Sequence, residues 1–394
     1  MDTGRLKESF ARVAVHGDAV PTFFYGYLFI RAPELRELFP ASMAAQRDKL
    51  VTALGTVVSN VDATDELVPF VRGLGRDHRK FGVLSDHYAP VAEALLATLA
   101  HYLGDDWTPQ LAADWQAAYQ IVAAEMTAAA RDAEGTTPPW WDAPVVAHER
   151  RPGTGIAVIT VRPDASLDHV SGQSVGIQSP RRPRVWRHYS PANAPRPDHS
   201  LEFHVRARPG GQLSPALVFG LAVGDELRLG PPTGTALTLR AADSDRDLLM
   251  LAGGTGLAPL RALIEELAAE AGLAGQPRRV TLFHGGRYAA ELYDMEALTE
   301  LRQGRPWLNV VPVVSDDPYY KGDRGTPVDA ALRAGRWRDH EVYVCGPPAM
   351  VTDSRHRLLE AAVPEERLHV EEFDGQGYIP STGPTAVAAV AGAR

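Results

Sequence analysis

The sequence predicts three consecutive domains: an all-α domain, an antiparallel β-barrel, and an α/β domain with a doubly wound parallel sheet. From residue 1 to about residue 136, apolar residues recur at helical spacing. Short β-rich runs separated by glycine and proline turns then continue to about residue 240. From Asp247 onward, apolar strands alternate with helical segments, which is typical of a parallel sheet covered by helices on both faces.

A proline-rich segment, EGTTPPWWDAP, divides the helical region from the β-rich region. The last residues of the chain are low in complexity and are expected to be frayed. We therefore predict a helical domain at 1–136, a hinge at 137–144, a barrel at 145–242, an α/β domain at 243–380, and a disordered tail at 381–394.

Composition excludes several classes of partner. The formal net charge is −9, and the basic residues are scattered among acidic ones, so we expect no nucleic-acid binding. The single cysteine, Cys345, cannot form an internal disulfide, and the first residues lack the apolar core of a signal peptide. There is no long apolar run, so we expect a cytoplasmic protein without a membrane span. The sequence does not indicate the oligomeric state.

Four helices of the first domain each carry an apolar face. The first spans about Ser42 to Val61, the third begins at Asp86, and the fourth begins with Thr108 as its cap. Two faces carry a polar residue at one end. The faces are, in order, Gln46, Leu50, Leu54, Val57 and Val61; Leu67, Val71, Leu74 and His78; Tyr88, Val91, Leu95, Leu99 and Tyr102; and Leu111, Trp115, Ala118, Val122 and Met126.

The barrel region contains two segments suited to binding a flavin nucleotide. In the segment RHYS, strand alternation makes Arg187 and Tyr189 project together, while Ser190 points the other way. Arginine suits a pyrophosphate, and an aromatic ring can lie against a flavin. In the segment GGQLSP, Ser214 is predicted to cap a short helix, and the backbone near Gly211 would cradle a phosphate.

Two turns of the α/β domain are predicted to face a dinucleotide. The segment LAGGTGLAP follows an apolar strand and opens a helix, so its backbone can approach a pyrophosphate, although glycines serve a tight turn equally well. The last strand ends at the sheet's carboxyl edge, where doubly wound folds bind ligands. The residues concerned are Gly254, Thr255 and Gly256 in the first turn and Cys345, Gly346 and Pro347 in the second.

These segments, in this order, resemble the ferredoxin reductase-like family over residues 145 to 378. The resemblance implies that Arg187, Tyr189 and Ser190 hold FAD, that the glycine loop holds NADH or NADPH, and that the Cys-Gly-Pro turn lies near the nicotinamide. Such a reductase accepts a hydride and releases electrons singly, so the helical domain is expected to hold a one-electron acceptor. Arg287 after the second strand could bind a 2′-phosphate or lie on the surface, so NADH and NADPH both stay open.

The acceptor is predicted to be haem. A histidine at the end of an apolar face, such as His78, is usually structural. However, the chain has no cysteine set for an iron–sulfur cluster, and a globin haem requires one axial histidine.

The helical domain resembles the globin domain of bacterial flavohaemoglobins through TFFYGYLFIRAPELRELFP, QRDKL, DHRKFGVLSDHYAPVAEALLATL and WQAAY. With the reductase, the resemblance covers nearly the whole chain. It implies haem b with His78 as proximal ligand, a distal pocket of Tyr25, Gln46 and Leu50, Phe39 against the haem, Tyr88 on the proximal side, Phe373 covering the flavin and Glu371 near it.

The sequence departs from that family at several positions. The family's proximal glutamate aligns with Ala130, which removes a hydrogen-bond acceptor for the axial histidine unless Asp132 or Glu134 replaces it. The residue before His78, usually lysine, is Asp77. The flavin motif reads Ser171, Gly172 and Gln173, and Ala258 stands where many relatives have threonine.

The resemblance implies a nitric oxide dioxygenase in which NAD(P)H reduces FAD, FAD reduces the haem, and O₂ and NO react there to give nitrate. Tyr25 and Gln46 would donate hydrogen bonds on the distal side. Two alternatives stay open. One is a flavohaem oxidoreductase with another donor or acceptor and weak NO activity, which Ala130 favours. The other is an oxygen- or redox-sensing globin, although the residues after the hinge are all assigned to electron delivery.

Overall fold

The computed structural model describes residues 1–239, 245–274 and 278–372, with the side chains of residues 271–274 left out. The described chain divides between Trp140 and Trp141 into two compact units. We call residues 1–140 the helical unit and residues 141–372 the sheet unit. Phe373 and the predicted tail lie outside the described residues.

The helical unit packs six α-helices around a core that includes Phe24, Leu28, Leu95, Leu99 and Trp115. A 3₁₀ segment, Pro33–Leu38, joins the second helix to the third. The helices are α1 Thr3–Ala14, α2 Ala19–Arg31, α3 Ala44–Ser59, α4 Thr64–His78, α5 Tyr88–Leu103 and α6 Pro109–Glu134.

The predicted helix boundaries agree closely with the structure. Thr108 caps α6, since its Oγ1 accepts a hydrogen bond from the Leu111 backbone N–H at 3.2 Å. The helix predicted from Ser42 to Val61 is α3, which is shorter by two residues at each end. The helix predicted from Asp86 begins at Tyr88, because the three preceding residues form a 3₁₀ turn.

The first part of the sheet unit is the predicted antiparallel barrel. Its six strands pair in the order β4-β3-β6-β1-β2-β5. A bridge between Pro191, after β4, and Phe203 in β5 joins the two outer strands. The strands are β1 Trp141–Arg151, β2 Ile156–Val161, β3 Ser174–Gln178, β4 Arg187–Tyr189, β5 Leu201–Arg206 and β6 Glu226–Thr233, with a short helix α7 Ser214–Phe219 after β5.

The predicted hinge is too long at its carboxyl end. Residues 141–144 already belong to β1, where Trp141 pairs with Leu229 and Pro144 pairs with Glu226. The Trp141 indole also donates to the Ser166 carbonyl at 3.0 Å. The proline-rich composition predicts a turn, but residues 141–144 form a strand in which alternate side chains are buried in the barrel core.

The second part of the sheet unit is the predicted parallel sheet, with strand order β10-β9-β8-β7-β11-β12. Helices cover both faces: α8 and α9 lie over one apolar cluster, and α10 and α11 over the other. The strands are β7 Leu248–Gly253, β8 Val280–Gly286, β9 Leu308–Val314, β10 Asp323–Arg324, β11 Glu341–Gly346 and β12 Leu368–Glu372. The helices are α8 Leu257–Ala274, α9 Met295–Arg302, α10 Pro327–Ala334 and α11 Pro348–Glu360. Within the described ranges, no helix has the length and apolar character needed to cross a membrane.

Candidate functional site

His78 is the last residue of α4 and has the tautomer that a metal ligand needs. Its Nδ1 lies 2.7 Å from the carbonyl oxygen of Leu74. A carbonyl can only accept, so Nδ1 carries the proton and Nε2 keeps a lone pair. Burial lowers the pKa of His78 below its ordinary value of 6.5, so the imidazole is neutral at pH 7. A neutral ring with a basic Nε2 fits the axial position of a haem.

The partner of His78 Nδ1 is therefore a neutral backbone group and not a carboxylate. Asp132, considered as a substitute for the missing glutamate, instead forms an ion pair with Arg72. Glu134 is exposed at the end of α6. The neutral acceptor makes the His78 imidazole less basic than a carboxylate partner would.

A close crossing of α4 and α6 fixes the backbone just before His78. A Cβ on Gly75 would lie 2.3 Å from the Met126 carbonyl oxygen, so only glycine fits there. Leu74, Val122, Met126 and Tyr88 pack together beside this crossing. Tyr88 thus packs near α4, where Tyr119 donates to its carbonyl at 2.8 Å, and its role on the proximal side of a haem stays a prediction.

Tyr25 lies on α2 in an aromatic cluster with Phe29 and Phe39. The ring centroids of Tyr25 and Phe39 are 5.4 Å apart. The Tyr25 hydroxyl donates a long hydrogen bond, 3.4 Å, to the backbone carbonyl of Gln46. Burial raises the pKa of Tyr25 well above its ordinary value, so the phenol stays protonated and remains a donor.

The structure thus brings Tyr25, Phe39 and Gln46 together, although the contact to Gln46 runs through its backbone carbonyl and not its amide. Leu50, one turn further along α3, lines a small cavity of about 30 Å³. The cavity's other walls are apolar apart from Thr98, whose hydroxyl bonds the Ala94 carbonyl. Leu50 therefore borders an apolar space, but Tyr25, Phe39 and Gln46 do not line this cavity, and the distal role of Leu50 stays a prediction.

The flavin segment lies on β4, which pairs with β3. Tyr189 packs against the barrel core, and burial raises its pKa well above the ordinary value. Ser190 follows the strand and is buried, yet its Oγ has no hydrogen-bond partner among the described residues. The same holds for Ser171 Oγ in the second flavin motif. Two buried hydroxyls that lack partners fit a site whose remaining polar groups belong to a ligand.

The predicted role of Ser214 as a helix cap is wrong by one residue. Helix α7 begins at Ser214, and Leu213 occupies the cap position without a side-chain bond. Ser214 Oγ instead accepts from the backbone N–H of Arg208 at 3.1 Å. A Cβ on Gly211 would lie 3.0 Å from that same Oγ. The hydrogen bond from the Arg208 N–H to Ser214 Oγ thus spans the turn, and Gly211 lies in contact with Ser214.

The glycine loop and the Cys-Gly-Pro turn touch each other, as predicted for the carboxyl edge of the sheet. A Cβ on Gly256 would lie 2.1 Å from the Cys345 carbonyl oxygen, and one on Gly253 would lie 2.9 Å from the Pro347 ring. Thr255 lies within the 3₁₀ turn that opens α8. Only glycines allow this approach, and the resulting cradle fits a dinucleotide diphosphate.

Glu371 lies on β12, directly opposite Cys345 on β11. Burial raises the pKa of Glu371 from 4.5 to about 7 and raises the pKa of the Cys345 thiol well above its ordinary value. Cys345 therefore remains a thiol, and Glu371 can hold a proton near neutral pH. The structure places Glu371 beside the Cys-Gly-Pro turn, while Phe373 lies outside the described residues.

Two residues at the coenzyme edge were missed in the sequence. Arg206, at the end of β5 in the barrel, places its Nη2 3.6 Å from the position that a Cβ on Gly254 would take. Glu291, after β8, accepts from Arg206 Nη1 at 3.0 Å. Because these residues are far apart in sequence and belong to different sheets, no local pattern links them.

Comparison with known proteins identifies each domain. Residues 22–126 match the globin family, residues 153–237 match the oxidoreductase FAD-binding domain, and residues 250–356 match the oxidoreductase NAD-binding domain. A flavohemoprotein of Bordetella parapertussis is 29% identical, with 92% of this chain and 95% of the relative covered. The chain thus combines a globin domain with FAD- and NAD-binding oxidoreductase domains, and it is similar over almost its whole length to curated flavohemoproteins.

Two further relatives support this assignment. The crystal structure of flavohemoglobin from Malassezia yamatoensis with bound FAD and heme has the same fold, with a TM-score of 0.76 at 20% identity; 94% of this chain and 98% of that chain are covered. The reductase subunit of an aromatic O-demethylase from Amycolatopsis is 38% identical over 48% of this chain and 56% of its own length. The chain is therefore a flavohaem oxidoreductase, with domains for haem, FAD and NAD(P)H.

Proposed function

We propose that this flavohaem oxidoreductase is a nitric oxide dioxygenase that uses NAD(P)H, O₂ and NO. The observation that carries the proposal is that one helical unit contains both a histidine able to bind a metal, His78, and a buried, protonated phenol, Tyr25. The same chain carries a flavin and dinucleotide module that can supply electrons to such a centre. The curated flavohemoproteins cover almost the whole chain in the same domain order.

The overall reaction balances without another reactant: two NO and two O₂ combine with the two electrons of one NAD(P)H to give two nitrates, NAD(P)⁺ and one proton. When bound, FAD would convert the hydride into single electrons, and haem would supply the iron at which O₂ and NO react.

The residues of this chain have separable roles in the proposal. His78 Nε2 would hold the iron, and the Leu74 carbonyl would fix the orientation of the ring. Tyr25 would exchange its long bond to the Gln46 carbonyl for a bond to the ligand, because a 3.4 Å bond costs little to give up. Leu50, which packs against the apolar cluster that contains Tyr25, would keep water away from the distal side.

In the sheet unit, Arg187 would bind the FAD pyrophosphate, and Tyr189 would lie against the flavin ring. Ser190 Oγ would complete its hydrogen bonding on the flavin, because it has no other partner in the described chain. The glycine loop and the Cys-Gly-Pro turn would hold the coenzyme diphosphate. Glu371, with its pKa raised to about 7, would hold a proton near the flavin.

A second candidate is a flavohaem oxidoreductase that passes its electrons to another acceptor and handles NO poorly. The observation that favours it is the neutral acceptor on His78 Nδ1, which gives less electron donation to iron than a carboxylate does. Ala130→Glu is expected to lower the reduction potential of the haem by supplying a carboxylate. An unchanged or higher potential would show that Ala130 does not face the axial histidine.

A spectroscopic titration separates the proposal from both alternatives. We expect NADH in air to convert the purified protein to a stable oxygenated visible spectrum, which one equivalent of NO per haem abolishes while nitrate accumulates. A protein of the second type would lose NADH without a nitrate yield. A sensing globin would bind O₂ without continued NADH consumption when NO is supplied.

A further inference from the structure

The coenzyme edge of the sheet unit contains a carboxylate that binds two arginines at once. Glu291 Oε1 accepts from Arg206 Nη1 at 3.0 Å and from Arg287 Nη2 at 3.3 Å. Glu291 Oε2 accepts from the Arg287 backbone N–H at 2.9 Å. The Glu291 side chain is only 14% exposed, whereas that of Arg287 is 65% exposed. The carboxylate is thus the fixed centre of the group, and Arg287 is oriented by it.

The position of this group relates it to the adenosine end of a dinucleotide. In doubly wound sheets the diphosphate lies on the glycine loop after one strand, and the adenosine ribose lies at the end of a neighbouring strand. Here the loop follows β7, and Arg287 directly follows β8, which pairs with β7. Arg206 approaches Gly254 of the loop, so the two arginines lie at the diphosphate end and the ribose end respectively.

The charge at the ribose end determines which coenzyme can bind. NADPH differs from NADH by a 2′-phosphate, which carries nearly two negative charges at pH 7 and requires a cation. Arg287 supplies a cation there, but its guanidinium is already paired with Glu291, and Asp316 adds a further negative charge nearby. A ribose diol, in contrast, needs acceptors, and a carboxylate with three bonds has one further lone-pair position.

We propose that Glu291 makes this site select NADH over NADPH, by holding Arg287 and by placing its own negative charge where a 2′-phosphate would bind. The inference rests on the coenzyme-binding part of the proposed function and is independent of the chemistry at the haem. Glu291 acts through Arg287, so it is a positioning and specificity-determining residue. Arg206 would bind the coenzyme diphosphate with either coenzyme.

Calorimetric binding of two nucleotide fragments tests this without turnover. ADP-ribose represents the NADH end, and 2′-phospho-ADP-ribose represents the NADPH end. We expect the native holoprotein to bind ADP-ribose at least about tenfold more tightly. Equal binding, or tighter binding of the phosphorylated fragment, would overturn the assignment of Glu291 while leaving the proposed function intact. If neither fragment binds, the chain has no coenzyme site, and both the assignment of Glu291 and the proposed function are contradicted.

Variants test whether Glu291 is the source of the preference for ADP-ribose over 2′-phospho-ADP-ribose. Glu291→Gln keeps the size of the side chain and removes its charge, so we expect the preference to narrow at least about fivefold through tighter binding of the phosphorylated fragment. Glu296→Gln, an exposed glutamate on α9, is the matched control and should leave both affinities unchanged.

The double variant Glu291→Gln with Arg287→Ala should lose that gain, because the released guanidinium is its source. A purely structural role for Glu291 predicts that both fragments weaken together and that their ratio stays constant, which would overturn the inference. The melting temperature of each variant, measured by circular dichroism, shows whether it is folded under the binding conditions.

Discussion

The sheet unit forms its binding sites largely from backbone, whereas the helical unit relies on single side chains. At the coenzyme edge, Gly256 and Gly253 leave no room for a Cβ against the opposite turn, so a chain path forms the cradle. In the helical unit, the proposed chemistry depends on His78 and Tyr25, each of which contacts one backbone carbonyl. A site made from backbone leaves a run of glycines in the sequence. A site made from one side chain shows in the sequence only as a single residue, whose type is also common at purely structural positions.

This difference explains which predictions succeeded. The glycine loop and the Cys-Gly-Pro turn were predicted to lie at one edge of the sheet, and they are in contact because strand ends in a parallel sheet meet there. The apolar face ending in His78 was predicted from helical spacing and is α4. The prediction that His78 is a ligand required the resemblance to a family, because helical spacing also fits an ordinary structural histidine.

The misses also have physical causes. Ser214 was placed one residue too early relative to its helix, because a Ser-Pro pair fits both the cap and the first turn. The hinge was predicted too long, because Trp141 to Pro144 combine turn-type composition with strand pairing. Two contacts depend on the folded geometry alone. They are the ion pair between Arg206 and Glu291 and the hydrogen bond from His78 Nδ1 to the Leu74 carbonyl.

The largest effect is expected from removing the side chain on which the helical unit depends. His78→Ala should purify with little or no haem, because the only proposed protein ligand of the iron is lost. The FAD content and NADH-dependent reduction of an artificial acceptor should remain near normal, since the sheet unit carries those functions. The matched control is His16→Ala, which removes an exposed histidine of the same unit. Full haem occupancy in His78→Ala, measured by pyridine haemochrome, would disprove the axial assignment.

The second-largest effect is expected where the backbones of α4 and α6 cross closely in the helical unit. Gly75→Ala should lower its free energy of unfolding by about 3 kcal/mol, because the new Cβ would meet the Met126 backbone. Gly73→Ala, on the same helix with open space around it, should instead raise stability by about 0.5–1 kcal/mol. Chemical denaturation followed by the haem absorbance measures both. Equal effects of the two substitutions would mean that the α4–α6 crossing is looser than described.

A smaller effect is expected from Tyr25→Phe, which keeps the ring and its packing against Phe39. Loss of one hydrogen bond to bound O₂ should raise the O₂ dissociation rate at least about tenfold, with haem content unchanged. Tyr27→Phe is the control, because Tyr27 lies on the same helix and bonds Glu93 instead. Stopped-flow displacement of O₂ by carbon monoxide measures the rates, and identical rates in both variants would place Tyr25 away from the ligand.

The smallest effect concerns the pH dependence of the sheet unit. Because the pKa of Glu371 is raised from 4.5 to about 7, the folded protein binds more protons than the unfolded chain in that interval. Its contribution to stability is therefore greatest below pH 4.5 and declines until pH 7. Glu371→Gln should weaken this decline in urea unfolding, whereas Glu372→Gln should not. A steeper decline in the first variant would show that Glu371 is ionised in the folded protein.

The most direct test of the account follows the electrons of one coenzyme from the sheet unit to nitrate. The protein is reduced anaerobically with a limiting amount of NADH, mixed rapidly with O₂ and then with NO, and nitrate is quantified. We expect reduction of the flavin to precede reduction of the haem, and about two nitrates to form for each NADH consumed. Complete oxidation of NADH with the haem left oxidised, or with no nitrate formed, would contradict the proposed function.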